Sequence, residues 1–243
     1  MQARALHPWD LSPRAAREVQ RRLRAEPRFE DALPAGGPRL VAGVDNGYLG
    51  VGTPTAGCAA AVTLGLPGLE TVETRLAWAE VTFPYVPGLL AFRELPAMLA
   101  ALRLLETTPD VVLVDAHGYA HPRRLGAAAH LGLLLDRPTI GCAKSRLIGT
   151  YEEPPDVLGA HRPLLDGGEV IGAVVRSRPG GRPLFVSAGH RVSLATAVEI
   201  VVACCRGRSV MPEPTRMADA LVRAETRRRR AERAAGEASR PAP

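Results

Sequence analysis

Six residues constrain the fold of this 243-residue chain more than any others: DVVLVD, residues 110–115. A wholly apolar run of four bracketed by acids reads as a strand covered on both faces, which belongs in a sheet with helices packed against it. The pattern around it alternates. Residues 89–106 carry Leu and Ala at helical spacing, with Pro96 either kinking that helix or marking its first turn. A second helix is expected near residues 123–135, and a further strand at 138–143. Strand and helix in alternation predict parallel pairing through crossovers.

The first half reads differently. Residues 39–48, 57–66 and 69–83 are three strands with short connections, the last two joined by Pro67 and Gly68, which predicts an antiparallel meander. Ahead of them an Arg-rich helix runs to about Glu26, capped by Ser12 with Pro13 at its first position. Downstream come a hairpin-like pair (169–177 and 183–187), a helix at 193–205 and a terminal helix from about Glu213. Without repeats or a separating linker, the reading is one mixed α/β domain over residues 1–222. Its sheet is a three-strand antiparallel meander followed by parallel crossover strands, flanked by helices.

With 46% hydrophobic residues, the chain can bury a core without metal or disulfide staples. No apolar run approaches the ~20 residues of a membrane span, and MQARALHPWDLSP lacks the apolar stretch of a secretory signal. Cys58, Cys142, Cys204 and Cys205 have no C-x-x-C spacing and read as buried free thiols of a reduced compartment. A cytoplasmic protein with no membrane partner, and a monomer, is expected.

The formal charge of +6 is unevenly placed. Residues 34–222 balance 17 basic against 17 acidic groups, so the excess lies at the two ends. Residues 223–243 read as an Arg-rich tail, frayed or disordered. Lys144 is the one Lys among 31 basic residues. It follows the strand PTIGCA, where a compact point charge is set apart from the prevailing Arg.

Asp45 and Asp115 each end an apolar strand, and carboxyl edges are where α/β sheets place their sites. Glu94 lies early in the intervening helix and can present a third carboxylate. Oxygen ligands of this kind suit Mg²⁺ or Mn²⁺ with a phosphate substrate. After Asp115, the segment AHGYAHPRRLG holds His117, His121 and the pair Arg123 and Arg124, placed for phosphate contact at an expected helix start. Tyr85, held between Pro84 and Pro87, is a rigidly presented ring suited to stacking or wedging.

Together FPYVPGLLAFRE, VDAHGYAHPRRLG, GCAKSRLIG, SAGHRVSL and PEPTR resemble the endonuclease V family of deoxyinosine-directed repair nucleases, from about Ala42 to Asp219. The resemblance implies a ribonuclease H-like fold. It also implies a Mg²⁺-dependent endonuclease, with Mn²⁺ as a substitute, that cuts the second phosphodiester bond 3′ to a deaminated base and leaves 3′-hydroxyl and 5′-phosphate. By motif position, Asp45, Glu94 and Asp115 would bind metal, and His121 and Lys144 would lie by the scissile phosphate. Tyr85 would be the wedge, and Gly88, Gly118 and Leu147 would line the base pocket. The partner would be deoxyinosine-containing DNA or, alternatively, inosine in single-stranded RNA. One departure stands out: the family's Gly-His-Gly after the strand aspartate is Ala116-His117-Gly118 here.

Overall fold

A computed structural model describes residues 1–49 and 56–238. Its centre is one eight-stranded sheet in the order β3-β2-β1-β4-β5-β8-β7-β6. Strands β1 (Leu40–Leu49), β2 (Ala56–Gly65) and β3 (Glu70–Glu80) form the antiparallel meander. β4 (Val111–Val114) and β5 (Thr139–Ala143) then pair in parallel, β4 against β1 and β5 against β4. All four apolar side chains of β4 are fully buried, each worth ~1.5–3 kcal/mol of apolar burial, so this short strand is held by its covered faces. β6 (His161–Asp166), β7 (Glu169–Val175) and β8 (Leu184–His190) close the sheet antiparallel, β8 against β5. This is the ribonuclease H-like arrangement of meander and crossovers.

Helices cover both faces. α1 (Pro13–Leu23) begins as its sequence dictates, with Ser12 Oγ accepting from the Ala15 N–H at 3.3 Å. α2 (Leu90–Arg103) contains Pro96 within its length and packs with α3 (Ala127–Leu135) on one core, which includes Leu95, Met98, Leu131 and Leu134. α4 (Leu194–Ala203) covers the opposite core of Ile140, Val186 and Val201. α5 (Glu213–Ala238) lies along β1 and β2. It approaches so closely that a Cβ on Gly43 would lie 2.1 Å from the Pro214 carbonyl carbon, and one on Gly47 2.5 Å from Val222.

Four boundaries differ from the sequence reading. β1 does not stop at Asp45: it runs on through Asn46 and Gly47, paired with β2, and the glycine serves helix contact rather than a turn. β6 goes unseen in the sequence because Pro163 interrupts it, and proline is tolerated there because β6 is the sheet edge. α3 begins at Ala127 rather than Arg123, since Arg124 takes φ +54° and Gly126 supplies an extended N-cap. The Arg-rich segment from residue 223 is helical to Ala238, supported by the pairs Arg228–Glu225, Arg228–Glu232 and Arg229–Glu225. The last five residues of that expected tail, 239–243, lie outside the described residues. All four cysteines are buried and free. Among the described residues no helix is long and apolar enough to cross a membrane.

Candidate active site

Strand register brings the two aspartates together. Val44 pairs with Val114, and the Asp115 N–H donates to the Val44 carbonyl at 3.3 Å, so Asp45 and Asp115 stand side by side where β4 ends and β1 continues. Glu94, 9% exposed, comes from the second turn of α2. The Tyr48 hydroxyl, three residues beyond Asp45 on β1, donates to Glu94 Oε1 at 3.0 Å. Arg93 lies 4.6 Å over the Tyr48 ring and donates to the Phe83 carbonyl at 2.6 Å. One strand thus carries Asp45 and also fixes the helix acid.

The electrostatics are those of crowded, desolvated acids. Burial and then the charge of Asp115 push Asp45 up to about 8. Burial pushes Glu94 up to about 7, against the hydrogen bond from Tyr48. Asp115 is raised as well, chiefly by burial, although the Lys144 ammonium is bonded to its Oδ2. Burial alone would lower Lys144, but the bond and charge of Asp115 outweigh it and keep the ammonium protonated. A fourth acid, Asp219 on α5, adds its negative charge to both aspartates and is itself paired with Arg223 at 2.9 Å.

This is an acid cluster short of positive charge, with one ammonium already drawn onto it. Among the described residues no three His, Cys, Asp or Glu side chains form a ready-made metal cage. A divalent cation that keeps several waters is usually held by one or two carboxylates plus substrate phosphate. Asp45 and Asp115, with Glu94 near them, are the residues that would hold such an ion.

Beside the acids opens a cavity of about 270 Å³, lined by Tyr85, Gly88, Ala116, His117, His121 and Leu147 among others. Tyr85 is 71% exposed at its mouth. Gly88 takes φ +75°, a conformation glycine adopts without strain, and its carbonyl is the anchor of the loop. It accepts from His121 Nε2 at 3.1 Å, from Arg123 at 2.7 Å and from Gln20 at 3.0 Å. The Arg123 N–H donates to His121 Nδ1, which leaves Nε2 as the protonated nitrogen. Burial pushes His121 down to about 4, so it stays neutral. Opposite, His117 Nε2 donates to the Ser145 carbonyl at 3.0 Å, tying the loop after β4 to the loop after β5.

The expected site residues therefore divide. Asp45, Glu94, Asp115 and Lys144 gather at the sheet edge, and Tyr85, Gly88 and Leu147 gather round the cavity. His121 falls in the cavity group, with its ring committed to Gly88. Gly118 lies behind the lining: its N–H donates to Ser187 Oγ at 2.9 Å and its carbonyl accepts from Gly126. Arg123 is turned inward onto Gly88 and Gln20, while Arg124 is paired with Asp166 and Glu169. Ala116 is 7% exposed and puts its methyl where the family pattern has none, with its N–H already donated to the Val114 carbonyl. Sequence reasoning missed Gln20 and Tyr48. Gln20 had a signal, as the one uncharged polar residue in an Arg-rich helix.

Comparison with known proteins places the chain in a family. The model of the Endonuclease V family aligns with residues 17–220. The chain belongs to the endonuclease V family. It is 53% identical to the endonuclease V of Roseiflexus sp. (strain RS-1) over 215 residues, covering 88% of this chain and 93% of that protein. The crystal structure of the Bacillus subtilis endonuclease V superposes with a TM-score of 0.89 at 30% identity, over 96% of this chain and all of that one. The Ciona intestinalis endonuclease V, crystallised with a 24mer DNA containing an inosine followed by a ribo-adenosine, superposes at 0.78 with 30% identity, over 88% and 98%.

Proposed function

We propose that this endonuclease V-family chain recognises deoxyinosine in DNA and hydrolyses the second phosphodiester bond 3′ to it, leaving 3′-hydroxyl and 5′-phosphate. The observation that carries the reading is the side-by-side register of Asp45 and Asp115 next to a base-sized cavity. The Ciona relative's complex with inosine-containing DNA supports the same substrate class.

The chain's residues divide the work. Tyr85, held by Pro84, Pro87 and the anchored Gly88, wedges into the space an extruded base leaves. A mispaired inosine costs less to unstack than a paired base, which favours its extrusion. The cavity walls Gly88, Ala116, His117 and Leu147 enclose the base. Asp45 and Asp115, with Glu94, would hold Mg²⁺, with Mn²⁺ able to take its place. The bound ion supplies Lewis-acid stabilisation of charge on the phosphoryl oxygens. Lys144, kept charged by Asp115, offsets negative charge at the phosphate.

The test is cleavage of sequence-matched DNA and RNA oligonucleotides that carry one inosine, in Mg²⁺. Preferential nicking of the DNA supports the reading. Faster cleavage of single-stranded RNA replaces the substrate with inosine RNA, and binding without cleavage in either ion overturns the nuclease.

A further inference from the structure

The function proposed above uses α5 only through Asp219, yet the same face of that helix continues past it. Asp219, Arg223, Arg227, Arg230 and Arg233 follow one another at steps of four, four, three and three residues, so they form a single stripe along the helix. The stripe borders the site and is bonded to it at one point. Asp219 acts electrostatically on Asp45 and Asp115, and Arg223 on Asp115. Arg230 donates to the carbonyl of Tyr48, the residue whose hydroxyl holds Glu94, at 3.1 Å.

Beyond the site the stripe carries uncompensated charge. Arg223 is paired with Asp219, and Arg228 and Arg229 are paired with Glu225. Among the described residues Arg227, Arg230 and Arg233 are exposed and have no carboxylate partner. From Arg227 to Arg233 the helix rises about 9 Å, which matches roughly two to three phosphates of one strand. Balanced Arg–Glu pairing would suffice for solubility. Three guanidinium groups without carboxylate partners on the face aligned with the acids instead complement a polyanion.

The sheet gives this surface a direction. Across the edge from β5 to β2 the order is the cavity between the loops after β4 and β5, then the acids on β4 and β1, then α5 on β1 and β2. A strand with its extruded base in the cavity and its cut bond at the acids, continued in the same direction, meets α5. We propose that Arg227, Arg230 and Arg233 bind the phosphates of the substrate strand on the 3′ side of the cut. This rests on the proposed function for the position of base and scissile bond.

The test compares the full chain with the triple variant Arg227→Gln/Arg230→Gln/Arg233→Gln. Binding to labelled inosine duplexes is measured by anisotropy in Ca²⁺ across 50–200 mM salt. One duplex set is shortened stepwise on the 3′ side of the cut, the other on the 5′ side of the lesion. The wild type should lose affinity as the 3′ arm is shortened, and the triple variant should respond much less. The variant's slope of log K against log salt should be shallower by about 2–3, since each duplex phosphate contact contributes ~0.9. Both proteins should respond alike to 5′ shortening, and a triple Arg→Lys variant should keep most of the wild-type slope because the charge is retained. An unchanged salt slope in the Gln variant, or a loss that follows the 5′ arm, overturns the proposal. A wild type that nicks no inosine duplex in Mg²⁺ removes the functional reading beneath it, which is a separate failure.

Discussion

His121 donates from Nε2 to the carbonyl of Gly88 at 3.1 Å, while its Nδ1 accepts the Arg123 N–H at 3.1 Å. Both nitrogens are occupied, and the ring anchors the loop that presents Tyr85. His121→Ala should therefore weaken lesion binding about tenfold, the effect of one hydrogen bond at the upper end of the ordinary range. The single-turnover rate of the bound complex should fall much less. Binding and single-turnover assays on one inosine duplex separate the two. Unchanged affinity with a collapsed rate would place His121 at the phosphate.

Asp45 and Asp115 oppose each other in the metal-free protein. Asp45→Asn should abolish nicking, on the order of a thousandfold for a loss of several kcal/mol of charge stabilisation. The same change should raise the melting temperature of the metal-free chain at neutral pH, because it removes a buried acid that the fold holds protonated beside Asp115. The pH dependence carries a definite sign. The folded value for Asp45, about 8, lies above its ordinary 3.8. Its contribution to stability is thus full below pH 3.8 and is lost as pH rises through 8. Thermal melts in chelator should show the wild type losing stability across that window and Asp45→Asn losing less. Added Mg²⁺ should restore the wild type at high pH.

Ala116 narrows the cavity beside His117. Ala116→Gly removes one methyl and should raise kcat/KM for a bulkier deaminated base such as xanthine relative to hypoxanthine. The added backbone freedom should cost about 0.5–1 kcal/mol of stability. Paired cleavage assays on the two lesions measure the ratio, and an unchanged ratio would remove Ala116 from specificity.

A second histidine pair has no part in the site. His7 Nε2 and His130 Nε2 are 2.7 Å apart beneath Trp9 and Phe92. His7 Nδ1 donates to the Pro8 carbonyl at 2.8 Å, so its Nε2 accepts, and His130 Nε2 is the donor. Burial pushes His130 down to about 3 and lowers His7 as well. The folded values lie below the ordinary 6.5, so the stability they allow is complete above pH 6.5 and is lost as pH falls towards 3. His130→Gln should flatten that acid-side loss by up to about 1.4 kcal/mol per pH unit, the slope for one proton. Denaturant titrations at pH 7, 6, 5 and 4 check it.

Much of this was legible from residue order. The apolar run of β4, the meander and the acids at strand ends needed only local pattern. Pairing register made those acids a site, and register is a long-range property. Asp45 read as a strand end because Asn46 and Gly47 resemble a turn, yet Gly47 makes room for Val222 of α5. The partners of the Gly88 carbonyl were illegible for the same reason, since Gln20 and His121 come from distant segments. Arg123 and Arg124 looked free for phosphate because nothing local reveals the Gly88 carbonyl or the Asp166 and Glu169 carboxylates that take them.

The most direct test of the account is product-end mapping on a duplex with one central deoxyinosine, labelled separately at each end, in Mg²⁺. The account predicts a single nick at the second phosphodiester 3′ to the lesion, with 3′-hydroxyl and 5′-phosphate ends. A cut on the 5′ side of the lesion, or release of the base with the strand intact, would contradict it.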